Sequence, residues 1–88
     1  MHDYDDYKYY IDGKVIRLGN NQNEVLNLLI ENKNHLVTYK KIAQRIYFED
    51  YKKDMVHNIS LIIHKLRTEC NLHIDTIRSR GYCLRGIK

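Results

Sequence analysis

The chain has 88 residues, no proline or tryptophan, and a formal net charge of +4. This length supports one domain with a modest core, which we expect to span residues 1–88. Residues 1–12 carry a net charge of −3, so the rest carry +7, from 14 Lys and Arg against 7 Asp and Glu. A basic body of this kind favours a polyanionic partner. The short apolar runs predict neither a signal peptide nor a membrane span or partner. Two cysteines are too few for a disulfide framework, so we expect a cytoplasmic protein.

The first predicted element is a β-hairpin, preceded by a polar segment, residues 1–6, that we expect to be loosely held. Residues 7–11 and 14–18 flank Asp12-Gly13, a pair that favours the two-residue turn whose twist matches the adjoining strands. Pairing across the turn predicts one buried face, formed by Tyr7, Tyr9, Ile11, Ile16 and Leu18. The exposed face then carries Lys8, Tyr10, Val15 and Arg17.

Helical periodicity begins after Gly19. Asn20 or Asn21 is the expected cap of a first helix that ends near Lys33, with Glu24 close to the positive end of the helix dipole. Its predicted core residues are Val25, Leu26, Leu28, Leu29 and Ile30. The connector after this helix is Asn32-Lys33-Asn34, because asparagine tolerates the left-handed conformation.

A second, shorter helix follows an extended piece at Leu36 and Val37. Thr38 is its expected cap, and the helix should run from Tyr39 to Tyr47 or Phe48. The residues predicted to be buried are Tyr39, Ile42, Ala43 and Ile46.

The stretch from Asp54 to Cys70 predicts an amphipathic third helix, with Asp54 or Asn58 as its cap. Apolar residues recur at the helical spacing, at Met55, Ile59, Ile62, Ile63, Leu66 and Cys70. The opposite face carries His57, Leu61, His64, Lys65 and Thr68, with Arg67 at its edge. Donors and an alkyl group suit the major groove of DNA. The same pattern is as typical of an ordinary amphipathic helix with a solvated face.

The end of the chain predicts a second β-hairpin directly after this basic helix. The turn is Ser79-Arg80-Gly81, and the second strand is Tyr82-Cys83-Leu84. The residues prone to form the first strand are Leu72, Ile74, Thr76, Ile77 and Arg78. Two short helices, a basic helix and a hairpin are the order of a winged helix-turn-helix. We therefore predict an α+β fold of three helices with an N-terminal β-hairpin and a C-terminal β-hairpin wing.

Two motifs resemble the OmpR/PhoB-type winged helix-turn-helix effector domain of bacterial response regulators. Residues 63–67, Ile-His-Lys-Leu-Arg, match that family's Ile-x-x-Leu-Arg, and residues 76–82, Thr-Ile-Arg-Ser-Arg-Gly-Tyr, are similar to its Thr-Val-Arg-Gly-x-Gly-Tyr. Weaker matches extend the resemblance over residues 15–84, at Glu24 with Leu28-Leu29, at Val37-Thr38 and at Ile46-Tyr47. The chain departs from the family pattern at four positions. It has Tyr47 where the family has Trp, Ser60 where it has Asp, Ser79 where it has Gly and Cys70 where it has Leu. Only one hairpin precedes the first helix, where the family has a four-stranded sheet.

The resemblance implies sequence-specific binding of double-stranded DNA in transcription regulation, as the output domain of a two-component response regulator. The third helix would enter the major groove and the wing the minor groove. The implied DNA-binding residues are His57, Leu61, His64, Lys65, Arg67, Thr68, Thr76, Arg78 and Arg80, with Tyr47 as a DNA backbone candidate. The implied loop facing RNA polymerase is Phe48, Glu49, Asp50, Tyr51, Lys52 and Lys53.

The resemblance also implies that copies bind in tandem on direct-repeat half-sites. We expect the free chain to be mainly monomeric, because no large apolar helix face remains once the core is built. A receiver domain is absent from these 88 residues, which fits either an excised effector domain or a stand-alone regulator.

Two other functions stay open. A winged-helix protein-interaction module would need an apolar patch where the chain has Lys65, Arg67, Arg78 and Arg80. A metal or redox-sensing site is less favoured, because structural zinc usually shows two ligand pairs and only one such pair exists among Cys70, His73, Cys83 and His64. The sequence has no paired carboxylates, no nucleophile beside a base and no glycine-rich phosphate loop, so we predict no enzyme, cofactor or metal.

Overall fold

The computed structural model describes residues 7–11, 13–49 and 51–87. It has the predicted α+β arrangement of two hairpins around three helices. The strands and helices are β1 (Tyr7–Ile11), β2 (Lys14–Leu18), α1 (Asn20–Glu31), β3 (Val37–Thr38), α2 (Tyr39–Tyr47), α3 (Met55–Glu69), β4 (Leu72–Ile77) and β5 (Gly81–Ile87). Strands β1 and β2 form one antiparallel sheet, and a second sheet has the order β3-β5-β4.

The N-terminal hairpin forms in the predicted register. Tyr10 pairs with Val15, and both side chains are exposed, whereas Ile16 and Leu18 are buried. This confirms the predicted faces where they are described. Residues 1–6, Asp12 and the side chains of Tyr7 and Ile11 lie outside the described residues. The hydroxyl of Tyr9 donates to the Oδ1 atom of Asn23, a buried residue of α1, and so fastens the hairpin to that helix.

The start of α1 differs from the prediction. Gly19, rather than Asn20 or Asn21, is the cap, and its N–H donates to Oε1 of Gln22 at 2.9 Å. The glutamine reaches back to the cap backbone as in half of a capping box, so no side chain is needed on the cap itself. Two further details of α1 were predicted wrongly, because Glu24 lies beyond the first turn and Ile30 is 55% exposed.

An arginine of α2 joins the two short helices. The Nε of Arg45 lies 2.8 Å from Oε1 of Glu24, and its Nη2 lies 3.1 Å from Oε2 of Glu31, both on α1. These hydrogen bonds raise the pKa of Arg45, that from Glu31 most, and the one to Glu31 lowers the pKa of that carboxyl. Glu24 therefore serves packing between helices rather than the dipole of α1. The predicted cap of α2 is confirmed, since Thr38 Oγ1 accepts from the Lys41 N–H at 3.2 Å.

The inward face of α3 is the centre of the core. All of its six predicted apolar residues are buried, and Ile59 and Leu66 are fully so. Asp54 stands at the cap but makes no side-chain hydrogen bond, because its own backbone is already helical (φ −69°, ψ −13°). A preceding turn satisfies the first amides instead, with the Met55 N–H donating to the carbonyl of Lys52. The predicted cap position at Asp54 is therefore confirmed, although the expected side-chain hydrogen bond does not form, and the buried face of α3 is confirmed.

The wing is a hairpin that is also tied to the start of α2. Ile77 pairs with Gly81 across a three-residue turn, in which Ser79 is left-handed (φ 62°); Arg78 thus lies in the turn rather than the strand. Strand β3 pairs with β5 through Thr38 and Gly81. A Cβ on Gly81 would lie 2.0 Å from the carbonyl oxygen of Val37, so only glycine allows the two strands to meet.

Candidate nucleic-acid interface

The outward face of α3 carries the side chains that the sequence singled out. His57, His64 and Thr68 are exposed, Lys65 is half-buried, and Leu61 is 54% exposed. They share this face because the six core residues at helical spacing hold the opposite side of α3 inward. The face therefore offers hydrogen-bond donors around one exposed alkyl group.

Thr68 has a restricted hydrogen-bonding role on this face. Its Oγ1 donates to the carbonyl of His64 at 2.9 Å, with the carbonyl of Lys65 at 3.4 Å. A hydroxyl has one proton and two lone pairs, so the outward side of Thr68 can accept but not donate. It is suited to an amino group of adenine or cytosine rather than to a phosphate.

Arg67 lies at the edge of α3 and points to the wing. Its Nε donates to the carbonyl of Ile74 at 2.9 Å, and its Nη2 donates to the same carbonyl at 2.6 Å and to Thr76 Oγ1 at 2.7 Å. The guanidinium carbon also lies 5.9 Å from the centre of the Tyr82 ring, which is buried. These contacts join the third helix to both strands of the wing.

The tip of the wing is cationic. Arg78, Ser79 and Arg80 form its turn and are exposed. The Arg80 N–H donates to the carbonyl of Ile77 at 3.0 Å, and the Arg80 carbonyl accepts from the Tyr39 N–H at 3.1 Å. The turn backbone is therefore fixed by β4 and α2, while its arginine side chains face outward.

Amide side chains that the sequence does not single out for DNA contact extend this surface around Tyr47, the DNA backbone candidate. Tyr47 is half-buried and lines an open groove where the start of α1 meets α3. The groove is lined by Asn20, Asn21, Gln22, Tyr47, Asn58, Leu61 and Ile62. Amide and phenol groups are neutral donors of the kind that contact phosphate oxygens. The sequence signal for this part of the surface is the run of amide side chains at residues 20–22, which by itself indicates only a helix cap.

The loop after α2 has both outward and inward side chains. Phe48 is left-handed (φ 58°) and 88% exposed, and Glu49, Lys52 and Lys53 are exposed. Tyr51 instead stacks on Tyr39 with ring centres 5.1 Å apart. Of the loop predicted to face RNA polymerase, Asp50 lies outside the described residues.

Two features bear on the alternatives that the sequence left open. Within the described ranges, no group of three His, Cys, Asp or Glu side chains could hold a metal ion, and Cys70 and Cys83 are buried free thiols. Burial raises the pKa of Cys70, a change that Glu69 reinforces.

Among the described helices, none has both the length and the apolar character that crossing a membrane requires.

The comparisons with known proteins identify the family. Residues 13–84 match the model of the family described as transcriptional regulatory protein, C terminal. The chain belongs to this family of OmpR/PhoB-type effector domains. Its function is DNA binding in transcription regulation, as the resemblance predicted.

One solved structure and two curated proteins are similar to this effector domain. The crystal structure of the DNA-binding domain of Bacillus subtilis CssR has a TM-score of 0.74 and 26% identity, covering 88% of this chain and 89% of that one. DNA topoisomerase 1 from Chlorocebus aethiops is 34% identical over 62 residues, and that from Homo sapiens is 34% identical over 59. Those matches span 70% and 67% of this chain but 8% of each topoisomerase.

Proposed function

We propose that this effector domain binds double-stranded DNA with the outward face of α3 in the major groove and the tip of the wing in the adjacent minor groove. The observation that carries the proposal is the division of α3. Six residues pack inward while His57, Leu61 and His64 are exposed. An α-helix fits the width of the major groove, and a face of this composition can contact base edges there.

Each side chain on α3 has a defined role in this proposal. Lys65 donates to the O6 and N7 atoms of guanine, Leu61 meets a thymine methyl group, and Thr68 accepts from an exocyclic amino group. His57 and His64 reach base edges or phosphates at the two ends of the contact. The groove that contains Tyr47 adds neutral donors toward the DNA backbone.

The wing contributes charge more than base information. Arg78 and Arg80 are exposed at its tip, and arginine is attracted to the negative potential of a narrow minor groove. The proposal favours DNA over a protein partner, because these cations stand where a protein-binding wing would need apolar surface. It includes no catalytic role.

The biological setting is part of the same proposal. The domain acts in the cytoplasm as the output domain of a two-component response regulator, and the chain holds a single winged-helix domain. It is monomeric when free, and two copies bind direct-repeat half-sites about 10 base pairs apart, one turn of the duplex. The loop from Phe48 to Lys53 faces RNA polymerase, with the exposed Phe48 ring as its apolar contact.

The test is binding to duplexes selected by the wild-type domain from a random-sequence library, measured by fluorescence anisotropy. We expect tight binding to the selected duplex and weaker binding to random duplexes, both decreasing as salt rises. Lys14→Ala is the matched control for loss of one exposed cation outside α3 and the wing, and it should leave base preference unchanged. Failure to enrich any duplex at low salt would overturn the proposal, and footprints of single isolated half-sites would overturn the tandem arrangement.

A further inference from the structure

We propose that Arg67 is a positioning residue that holds the wing against α3 and orients the Thr76 hydroxyl to donate to a DNA phosphate. The inference rests on the proposed DNA-binding function and departs from the sequence expectation that Arg67 itself contacts DNA. It starts from the three hydrogen bonds that Arg67 makes to β4.

The donors of Arg67 are largely committed inside the protein. A guanidinium has five N–H donors in a planar fork. The Nε–H is used on the Ile74 carbonyl, and the two hydrogens of Nη2 match its two acceptors, Ile74 O and Thr76 Oγ1. To bind a phosphate with the same edge, Arg67 would have to release the wing strand.

The backbone explains why an arginine is needed at this point. The pairing of β4 with β5 shifts register between His73 and Ile74, a place where a β-ladder is locally disrupted. Arg67 supplies donors to the Ile74 carbonyl beside that irregularity. On its other side the guanidinium lies 5.9 Å from the Tyr82 ring centre, and Tyr82 is the cross-strand partner of Thr76. The arginine thus contacts both residues of one pair in the wing.

The hydrogen bond from Arg67 determines what Thr76 can do. Thr76 is exposed, and one lone pair of its Oγ1 is occupied by the Arg67 N–H. Its hydroxyl proton can then point away from the cation, toward solvent or a bound anion. A phosphate oxygen placed there would accept a charge-assisted hydrogen bond, without Arg67 touching the DNA.

The experiment is a double-mutant cycle of Arg67→Lys and Thr76→Val on the selected duplex, at several salt concentrations. Lysine keeps the charge but cannot reproduce the fork, and valine keeps the shape of threonine without its hydroxyl. Each single variant should lose about tenfold in affinity. In the Arg67→Lys background, Thr76→Val should change affinity by less than about twofold, because the hydroxyl is no longer oriented. The salt dependence should be nearly unchanged throughout, because no phosphate-bound cation is lost.

Arg85→Lys is the matched control. Arg85 lies on β5 of the same wing and donates to Asp75 at 2.9 Å, so the same substitution there should leave DNA affinity and the Thr76→Val effect as in wild type. Near-wild-type binding by Arg67→Lys would show that only the charge matters and would overturn the proposal. Additive losses in the cycle would overturn it as well.

A measurement without DNA separates this inference from the proposed function. In the free domain, the Arg67 Nε–H resonance should exchange slowly with water, because it is hydrogen-bonded and half-buried. Fast exchange would show that Arg67 does not hold the wing against α3. If the wild-type domain bound no duplex, the proposed function and the phosphate contact of Thr76 would both fall, while the exchange rate would still decide whether Arg67 holds the wing.

Discussion

Gly81 is the residue whose replacement should disturb the wing most directly. Its nearest neighbours are backbone atoms, so a Cβ there would lie 2.0 Å from the carbonyl oxygen of Val37 and 2.9 Å from the Cα of Thr38. No side-chain rotation can relieve these contacts. We expect Gly81→Ala to force β5 away from β3, which loses the short ladder between them.

The expected cost has two parts. Overpacking against rigid neighbours typically costs about 1 to 3 kcal/mol, and each lost backbone hydrogen bond about 1 kcal/mol. Together these predict a decrease of about 3 kcal/mol in the free energy of unfolding. For a domain of this size that corresponds to a melting temperature about 15 °C lower.

The assay is urea and thermal unfolding followed by circular dichroism, with Gly86→Ala as the control. Gly86 lies on the same strand with the same φ of 158°, but a Cβ there would meet nothing within 4 Å. Both variants therefore carry the same backbone strain of alanine at positive φ, and the control should be destabilised less than Gly81→Ala because it lacks the clash. Equal stabilities of the two variants would refute the argument from close approach, because the available space is what distinguishes them.

Three further predictions test separate parts of the structure. Lys65→Ala should cost about 1 to 3 kcal/mol on the selected duplex and relax preference at one or two base pairs, whereas Arg80→Ala should weaken binding to many sequences alike, as measured on single-base variants of the duplex. The hydrogen bond from Arg85 lowers the pKa of Asp75. The stability that this hydrogen bond provides is therefore complete above about pH 4 and is lost as the pH falls through the lowered pKa. In Arg85→Ala, the pKa of the Asp75 carboxyl, measured by NMR, should return toward its usual range. Burial of Cys70, which raises its pKa, should make its reaction with a thiol reagent much slower in the native protein than in urea.

The periodic features of the fold were predictable because they depend on neighbours along the chain. The inward face of α3, with Ile59 and Leu66 at helical spacing, follows from one helix needing one buried side. The wing turn likewise follows from the residues before Gly81, which favour reversal of the chain. Hydrophobic pattern and turn chemistry act within a few residues, so a sequence displays them directly.

The features that the sequence did not predict depend on residues brought together by the fold. Arg45 meets Glu24 across 21 positions of the chain, and no local pattern indicates that pairing. The same limit applies to the candidate site. The resemblance implied that Arg67 contacts DNA, and the direction of its side chain toward the wing, which depends on the position of Ile74, has no local signal in the sequence.

The internal ion pairs reduce the charge that is available to DNA. Arg45 is bonded to Glu24 and Glu31, and Arg85 to Asp75. Arg67 is held on the wing by neutral groups, so the permanently charged side chains that we expect to approach the DNA directly are Lys65, Arg78 and Arg80. Each phosphate neutralised by a cation contributes about −0.9 to the slope of log affinity against log salt. From these three cations we therefore expect a slope of about −3 for one domain.

Removing one of these cations should change that slope by about one. Arg80→Ala should therefore reduce it to about −2, because the wing tip loses one of its two exposed arginines. Lys14→Ala, which removes an exposed cation outside α3 and the wing, should preserve it. A slope that is unchanged in Arg80→Ala would mean that the tip of the wing does not approach the DNA backbone.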